Sequence, residues 1–228
     1  MIAKVLYDQN LVNLEERSLH VGGSWTSNGV YDQPLIKFLA EQMKLVENPT
    51  LVDVGASTGS FALLPKFVGG EVIAFEPHPE IFKLLSANIR LNDLVDRAKL
   101  YNLALHAYDG NASLKISDKK SQSGLSTLGK PKTFSKFKKL KVPCRKLDSM
   151  RLGRVHFLKI DTEGCEWFVL CGARQTILSN KPKILIEHNS RNASQFEQKP
   201  QGVIDYLKTL GYNRFQKMGR EDLWITTS

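Results

Sequence analysis

The chain has 228 residues and a formal net charge of +9, length enough for one α/β domain with a sizeable core or for two small ones. No apolar run approaches the ~18 residues of a membrane span, and the opening Met-Ile-Ala-Lys-Val-Leu-Tyr-Asp lacks the long apolar core of a signal peptide. Cys144, Cys165 and Cys171 include no Cys-x-x-Cys pair, which argues against a thiolate metal site and predicts a reducing, cytoplasmic setting.

Residues 1–49 read as an N-terminal extension and a helix packed on a core formed by 50–228. Lys4–Tyr7 suggests a short strand. His20–Gly29, rich in turn formers and carrying Trp25, reads as a loop able to lid a pocket. A helix is expected from Gln33 to about Val46, with Pro34 in its first turn and Leu35, Phe38, Leu39 and Met43 on its apolar face. Asn48-Pro49 stop it.

Leu51–Val54 is a β-branched, apolar run suited to a buried parallel strand. Gly55 and Gly59 follow, and glycines there allow positive φ and let a ligand lie against bare backbone. A helix opening near Ser60 would point free amides at that ligand. The next strand, Val72–Phe75, ends in Glu76, at a spacing from Gly55 that suits the two hydroxyls of a ribose. The loop, Gly55-x-Ser57-x-Gly59, lacks the middle glycine of a dinucleotide fingerprint, and the anionic Asp53 repels a pyrophosphate. Both features favour a cofactor bearing ammonium and sulfonium charge, S-adenosylmethionine rather than NAD.

Pro77 and Pro79 bracket His78, which reads as a surface residue, and start a helix with Ile81, Leu84, Leu85 and Ile89 inward. Leu100–Leu105 is the next strand, and Asp109-Gly110-Asn111 signals a hairpin turn with Ala112–Ile116 as return strand. Residues 118–146 hold nine lysines and one arginine against one acid, which accounts for the whole net charge. This basic insertion reads as loop, with Leu140–Cys144 as an edge strand. Its charge suits an anionic partner such as nucleic acid, a phosphorylated sugar or an acidic glycan; the plain alternative is a solvated surface segment.

Val155–Ile160 is a strand closed by Asp161, followed by a helix over Cys165–Leu178 in which Gly172 and Ala173 allow close packing on the sheet. Pro182–Ile186 is a strand ending in Glu187-His188. Residues 189–199 read as polar loop, 201–210 as a helix, and the C-terminus as an antiparallel hairpin around Gly219. The whole is an α/β fold, one doubly wound, Rossmann-like, mostly parallel sheet.

Ligands of such sheets lie at the carboxyl ends of the strands. Those ends carry Asp53–Gly59, Glu76, the Asn102–His106 region, Asp161–Glu163, and Glu187 with His188. Asp53, Gly55, Ser57, Gly59, Glu76 and Asn102 are the candidate cofactor contacts. Methyl transfer to an alcohol needs alignment and a base to take its proton, and Asp161, Glu163, Glu187 and His188 are the candidates, with Lys159 beside them. The same acids are an oxygen-rich set of the kind magnesium or calcium takes, although Asp-x-Glu is not a specific metal motif.

Asp53-Val-Gly-Ala-Ser-Thr-Gly-Ser-Phe, Val72-Ile-Ala-Phe-Glu-Pro-His-Pro, Leu85-Ser-Ala-Asn-Ile-Arg-Leu-Asn, Lys146-Leu-Asp-Ser-Met and Leu158-Lys-Ile-Asp-Thr-Glu-Gly-Cys-Glu with Gly172-Ala together resemble the FkbM family of S-adenosylmethionine-dependent methyltransferases. The resemblance implies a class I methyltransferase fold and O-methylation of a sugar, glycan or natural product. It implies that Asp53, Gly55 and Gly59 form the cofactor loop, that Glu76 holds the ribose, and that Asp161 and Glu163 flank the transferred methyl. Ser57 stands where the family usually has asparagine, and the density of lysines favours an anionic acceptor. The alternatives are an RNA ribose 2′-O-methyltransferase, a nicotinamide oxidoreductase, and a cofactor-binding scaffold that presents the basic segment to a partner. The oligomeric state is not legible.

Overall fold

A computed structural model describes the chain except for residues 1, 8–9, 21–24, 27–28, 31–32, 119–125, 133, 198, 220 and 228. It opens with β1 (Ile2–Tyr7) and β2 (Asn10–Glu15), an antiparallel pair. The expected lid loop lies partly outside the described residues; within it β3 (Trp25–Thr26) pairs with β4 (Gly29–Val30). Then come α1 (Gln33–Lys44), β5 (Thr50–Val54), α2 (Pro65–Val68), β6 (Glu71–Phe75), α3 (Pro79–Leu91), β7 (Ala98–Tyr101) and β8 (Ala104–Leu105). The basic insertion lies between β9 (Gly110–Ser117) and the end of β10 (Phe137–Arg145). The chain continues through β11 (Phe157–Ile160), α4 (Glu166–Gly172), α5 (Arg174–Asn180), β12 (Lys183–Glu187), α6 (Ser190–Ala193), α7 (Pro200–Thr209), β13 (Arg214–Met218) and β14 (Asp222–Thr226).

Seven strands form the main sheet in the order β7-β6-β5-β11-β12-β14-β13. Its first five are parallel, and β14 runs antiparallel to both β12 and β13. The strand order reverses between β5 and β11, the switch point where open α/β sheets bind ligands. Leu51, Val52, Val54, Leu158 and Ile160 are almost fully buried because helices cover both faces. One layer joins α1 and α3 to the sheet, the other α4, α5 and α7. The buried stripe of α1 is Ile36, Leu39, Ala40 and Met43, with Leu35 and Phe38 at its margin.

Several sequence expectations are corrected. The segment after Gly59 is a series of turns to Leu64, and regular helix begins only at Pro65. Proline has no N–H to extend a helix backward. The helix expected over 165–178 divides at Ala173, where Asp148 accepts from the N–H groups of Gln175 and Thr176 (2.9 and 2.8 Å) and caps a new start. Gly172 packs closely as expected, since a Cβ there would come within 2.0 Å of the His106 carbonyl.

Asp109-Gly110-Asn111 is not a hairpin turn. Asp109 spends its carboxylate on Lys146 N and Ser149 Oγ, and β9 pairs instead with β10, which also pairs in parallel with β8. The expected edge strand thus extends back to Phe137, in the middle of a small three-stranded sheet. His78 is buried rather than exposed; its Nδ1 accepts from Glu80 N and caps α3.

Candidate active site

A cleft of about 820 Å³ opens over the carboxyl ends of β5, β6, β11 and β12. Its floor is the turn after β5. Gly55 N and Ala56 N both donate to Phe75 O at 3.0 Å, which ties that turn to β6. Gly55 has φ +77°, and a Cβ on it would lie 1.8 Å from the Asp161 carbonyl oxygen. The glycine is therefore required by the approach of the chain to itself, between the two switch-point strands, in addition to any ligand contact.

On one side of the cleft lie Gly55, Ala56, Ser57, Glu76, Pro77, Ile81, Leu103 and Leu105. Glu76 is buried, its Oε1 accepting from His78 N (2.8 Å) and its Oε2 from Ser57 N (3.0 Å). Burial raises its pKa to about 7 against the pull of those two N–H groups. Each oxygen keeps a free lone pair for a hydroxyl donor, and the apolar residues around it form a slot for a flat ring. These residues fit a nucleoside.

Asn102 does not line the cleft. Its amide donates to the carbonyls of Glu76 and Pro77 (2.8 and 3.2 Å) and fixes the chain that carries Glu76. Asp53 also lies away from the cleft surface, fully buried below the turn. The expected direct meeting of its charge with the cofactor is replaced by a pairing with Lys159, its cross-strand partner on β11. Lys159 Nζ lies 3.5 Å from Asp53, 3.4 Å from Asp161 and 3.2 Å from Gly55 O, and 5.1 Å from the centre of the Phe61 ring. Lys159 is thus a buried tie between turn and strand ends.

On the other side lie Asp161, Glu163, Glu187, Asn189, Arg191, Asn192, Glu221 and Asp222. Asn192 Nδ2 donates to Glu163 Oε2 at 2.9 Å and to both oxygens of Glu187 at 3.1 Å. Burial and then the charge of Asp161 and Glu166 push Glu163 up to about 8; burial with Asp161, Glu166 and Glu163 pushes Glu187 up to about 10. Two carboxyl groups sharing one amide cannot both ionise cheaply, and Glu187 keeps its proton longer. His188 stands apart: its side chain does not line the cleft, Nε2 is buried without a hydrogen-bond partner, and its main-chain N–H goes to Glu221 O. Among the described residues no three His, Cys, Asp or Glu side chains are grouped to hold a metal ion.

This geometry has counterparts. The FkbM methyltransferase domain matches residues 53–214. The chain belongs to the FkbM methyltransferase family. It is 26% identical over 193 residues to Methyltransferase sdnD of Sordaria araneosa, covering 71% of this chain and 74% of that protein. In fold it resembles an FkbM methyltransferase of Methylobacillus flagellatus at TM-score 0.53 and 20% identity, over 78% of this chain but only 43% of that longer one. It also resembles an S-adenosylmethionine-dependent O-methyltransferase of Thermotoga maritima (TM-score 0.50, 13% identity, 86% of this chain and 65% of the other). A third likeness is a Streptococcus mutans protein solved with S-adenosylhomocysteine (TM-score 0.51, 9% identity, 83% and 94%).

Sequence reading of this FkbM domain missed four residues that build the acidic side. Glu166 folds back so that Oε1 accepts from Thr162 N, Thr162 Oγ1 and Gly164 N at 2.9–3.0 Å, which holds the Asp161–Glu163 loop. Thr127 Oγ1 and Gln195 Nε2 donate to Glu163 O at 2.9 and 3.0 Å. Asn192 is the fourth. The available signal was local: Asn189-Ser-Arg-Asn is an N-cap pattern, and Asn189 Oδ1 does accept from Arg191 N and Asn192 N. A membrane span is absent in one defined sense: no helix among the described residues is long and apolar enough to cross a bilayer.

Proposed function

We propose that this chain is an S-adenosylmethionine-dependent O-methyltransferase acting on a neutral hydroxyl of a sugar, glycan or related natural product. The observation that carries the reading is the placement of Glu163, held by Asn192 and paired with Glu187, in the same cleft as Glu76 and the Gly55 turn. Glu76 and the Gly55–Ser57 turn would hold the cofactor, which when bound supplies an electrophilic methyl on sulfonium. The chain's own residues orient the acceptor and move its proton. Glu163, raised to about 8, takes the hydroxyl proton in its ionised form, so turnover should rise as pH approaches that value. Glu187 stays protonated and, through the Asn192 amide that both carboxyl groups share, helps to position Glu163, while Lys159 balances Asp161 and Asp53.

An anionic acceptor, favoured by the lysine content, is set aside for this cleft. With Glu187 protonated and Asp161 balanced by Lys159, its acceptor side still holds Glu163, Glu221 and Asp222 against Arg191, which disfavours an anion. The family match removes the nicotinamide reading.

The test is methyl transfer from labelled S-adenosylmethionine into cell-extract fractions sorted as glycan, small molecule, RNA and protein. Label is expected in the glycan or small-molecule fraction, with Glu163→Gln lowering turnover about 10²–10⁴-fold and leaving S-adenosylhomocysteine affinity unchanged. Label confined to RNA would replace the acceptor class, and full activity of Glu163→Gln would remove the assigned base.

A further inference from the structure

Part of the chain's basic excess sits on a surface that the cleft does not use. In the β8–β10–β9 sheet the side chains alternate. Ala112 and Leu114 on β9 and Val142 and Cys144 on β10 are buried together, and Leu114 also lines the cleft. The other face of β10 presents Phe137, Lys139, Lys141, Pro143 and Arg145, all exposed. This row therefore faces away from the cleft, on the far side of its wall. Lys136 and Lys138 are exposed beside it.

Two features separate this face from an ordinary solvated one. First, its lysines are uncompensated. Among the described residues no carboxylate forms an ion pair with Lys139 or Lys141. Asp118 flanks β9, and Asp109, at the far end of the row, feels the Arg145 charge. Lys139 stands directly opposite Lys115 in the ladder, a like-charge pair that destabilises a sheet, and Lys115 turns its amine to Leu128 O. Second, the row begins with an aromatic ring, Phe137, 37% exposed.

Cations at alternate strand positions, about 6.8 Å apart, with a ring at the start of the row, combine the two elements that bind single strands without sequence preference: charges for phosphates and a flat face for a base. An acidic polysaccharide would use the charges but offers no aromatic ring to stack on Phe137. We propose that the outer face of the β8–β10–β9 sheet docks single-stranded nucleic acid, with Lys139, Lys141 and Arg145 on the phosphates and Phe137 stacked on a base. The site is separate from the cleft, so it tethers the enzyme to a polyanion and does not depend on which acceptor is methylated.

The experiment is fluorescence anisotropy of labelled oligouridylate with the full chain across a salt series. Binding should weaken with salt, and Lys139→Gln/Lys141→Gln should reduce the log–log slope by about 1.4, close to 0.7 per cation removed. The paired change Lys37→Gln/Lys208→Gln, on other exposed surface, should leave the slope unchanged. Phe137→Ala should weaken oligouridylate about tenfold and leave heparin binding unaltered. All five positions are exposed, so thermal unfolding should match the wild type and folding failure is checked directly. Salt-independent or absent binding, an unchanged slope in the double variant, or equal loss of oligouridylate and heparin with Phe137→Ala would each overturn the proposal.

Discussion

Lys159 shows how much one charge can hold. It faces Asp53 across the β5–β11 ladder, reaches Gly55 O and Asp161, and lies against Phe61. Burial raises the pKa of Asp53, opposed chiefly by the Lys159 charge. Removing the amine strands a buried carboxylate, and breaking such a pair costs about 3–5 kcal/mol. Lys159→Met should lose stability of that order in urea unfolding, and adding Asp53→Asn should restore part of it. Equal stability of Lys159→Met and the wild type would show that the pair carries no such role. The residues of this tie were legible one by one, as unusual charges in apolar strands. Their pairing was not, because it follows from β11 lying beside β5, a neighbour more than a hundred positions away. Asn192 was less legible still: nothing in an isolated asparagine announces that it will lie between two carboxyl groups from different strand ends.

At the scale of elements, α6 decides the shape of the acidic side. It is one turn long, and the sequence around it reads as polar loop. What fixes it is Asn189, whose Oδ1 caps the turn while its Nδ2 donates to Glu221 at 2.9 Å. Gly164 (φ +105°) lets α6 approach, since a Cβ there would lie 2.1 Å from Asn192 O. Asn189→Ala should cost about 1 kcal/mol in urea unfolding and lower turnover while S-adenosylhomocysteine affinity, measured calorimetrically, stays constant. A parallel loss of cofactor affinity would mean that α6 supports the whole cleft. The long apolar strands β5, β6, β11 and β12 and the amphipathic α3 were readable because burial on both faces, or on one stripe, imposes its period on composition. The strand β10 was read too short because its outer positions are mostly basic and its inner ones apolar only from Leu140 onward. The Asp-Gly signal misled because the aspartate was needed elsewhere, to anchor Lys146 and Ser149.

The molecule separates charges among its described residues: lysines of β10 face outward on the small sheet, while acids gather in the cleft. That arrangement sets a pH dependence. Glu76, Glu163 and Glu187 are raised to about 7, 8 and 10, each above its ordinary carboxylate value. In the unfolded chain these groups ionise near 4.5, so above that pH the folded state holds more protons than the unfolded one. Stability therefore falls as pH rises: the contribution is fully present below the unfolded value and is lost through the folded values. The lowered pKa values of His78, His106 and His156 act in the opposite sense only below about 6.5, and the lowered Lys115 opposes weakly at the alkaline end. The clean window is therefore about 7 to 8, below the thiol range in which the raised Cys144, Cys165 and Cys171 add a loss of the same sign. Glutamine mimics the protonated acid, so Glu187→Gln should gain stability over the wild type progressively across that window and show no gain below about pH 4. Urea unfolding of the ligand-free protein at fixed ionic strength measures it. Curves that stay parallel across the window would mean that Glu187 ionises in the folded protein as it does in the unfolded one, and that burial and the surrounding acids do not hold its proton.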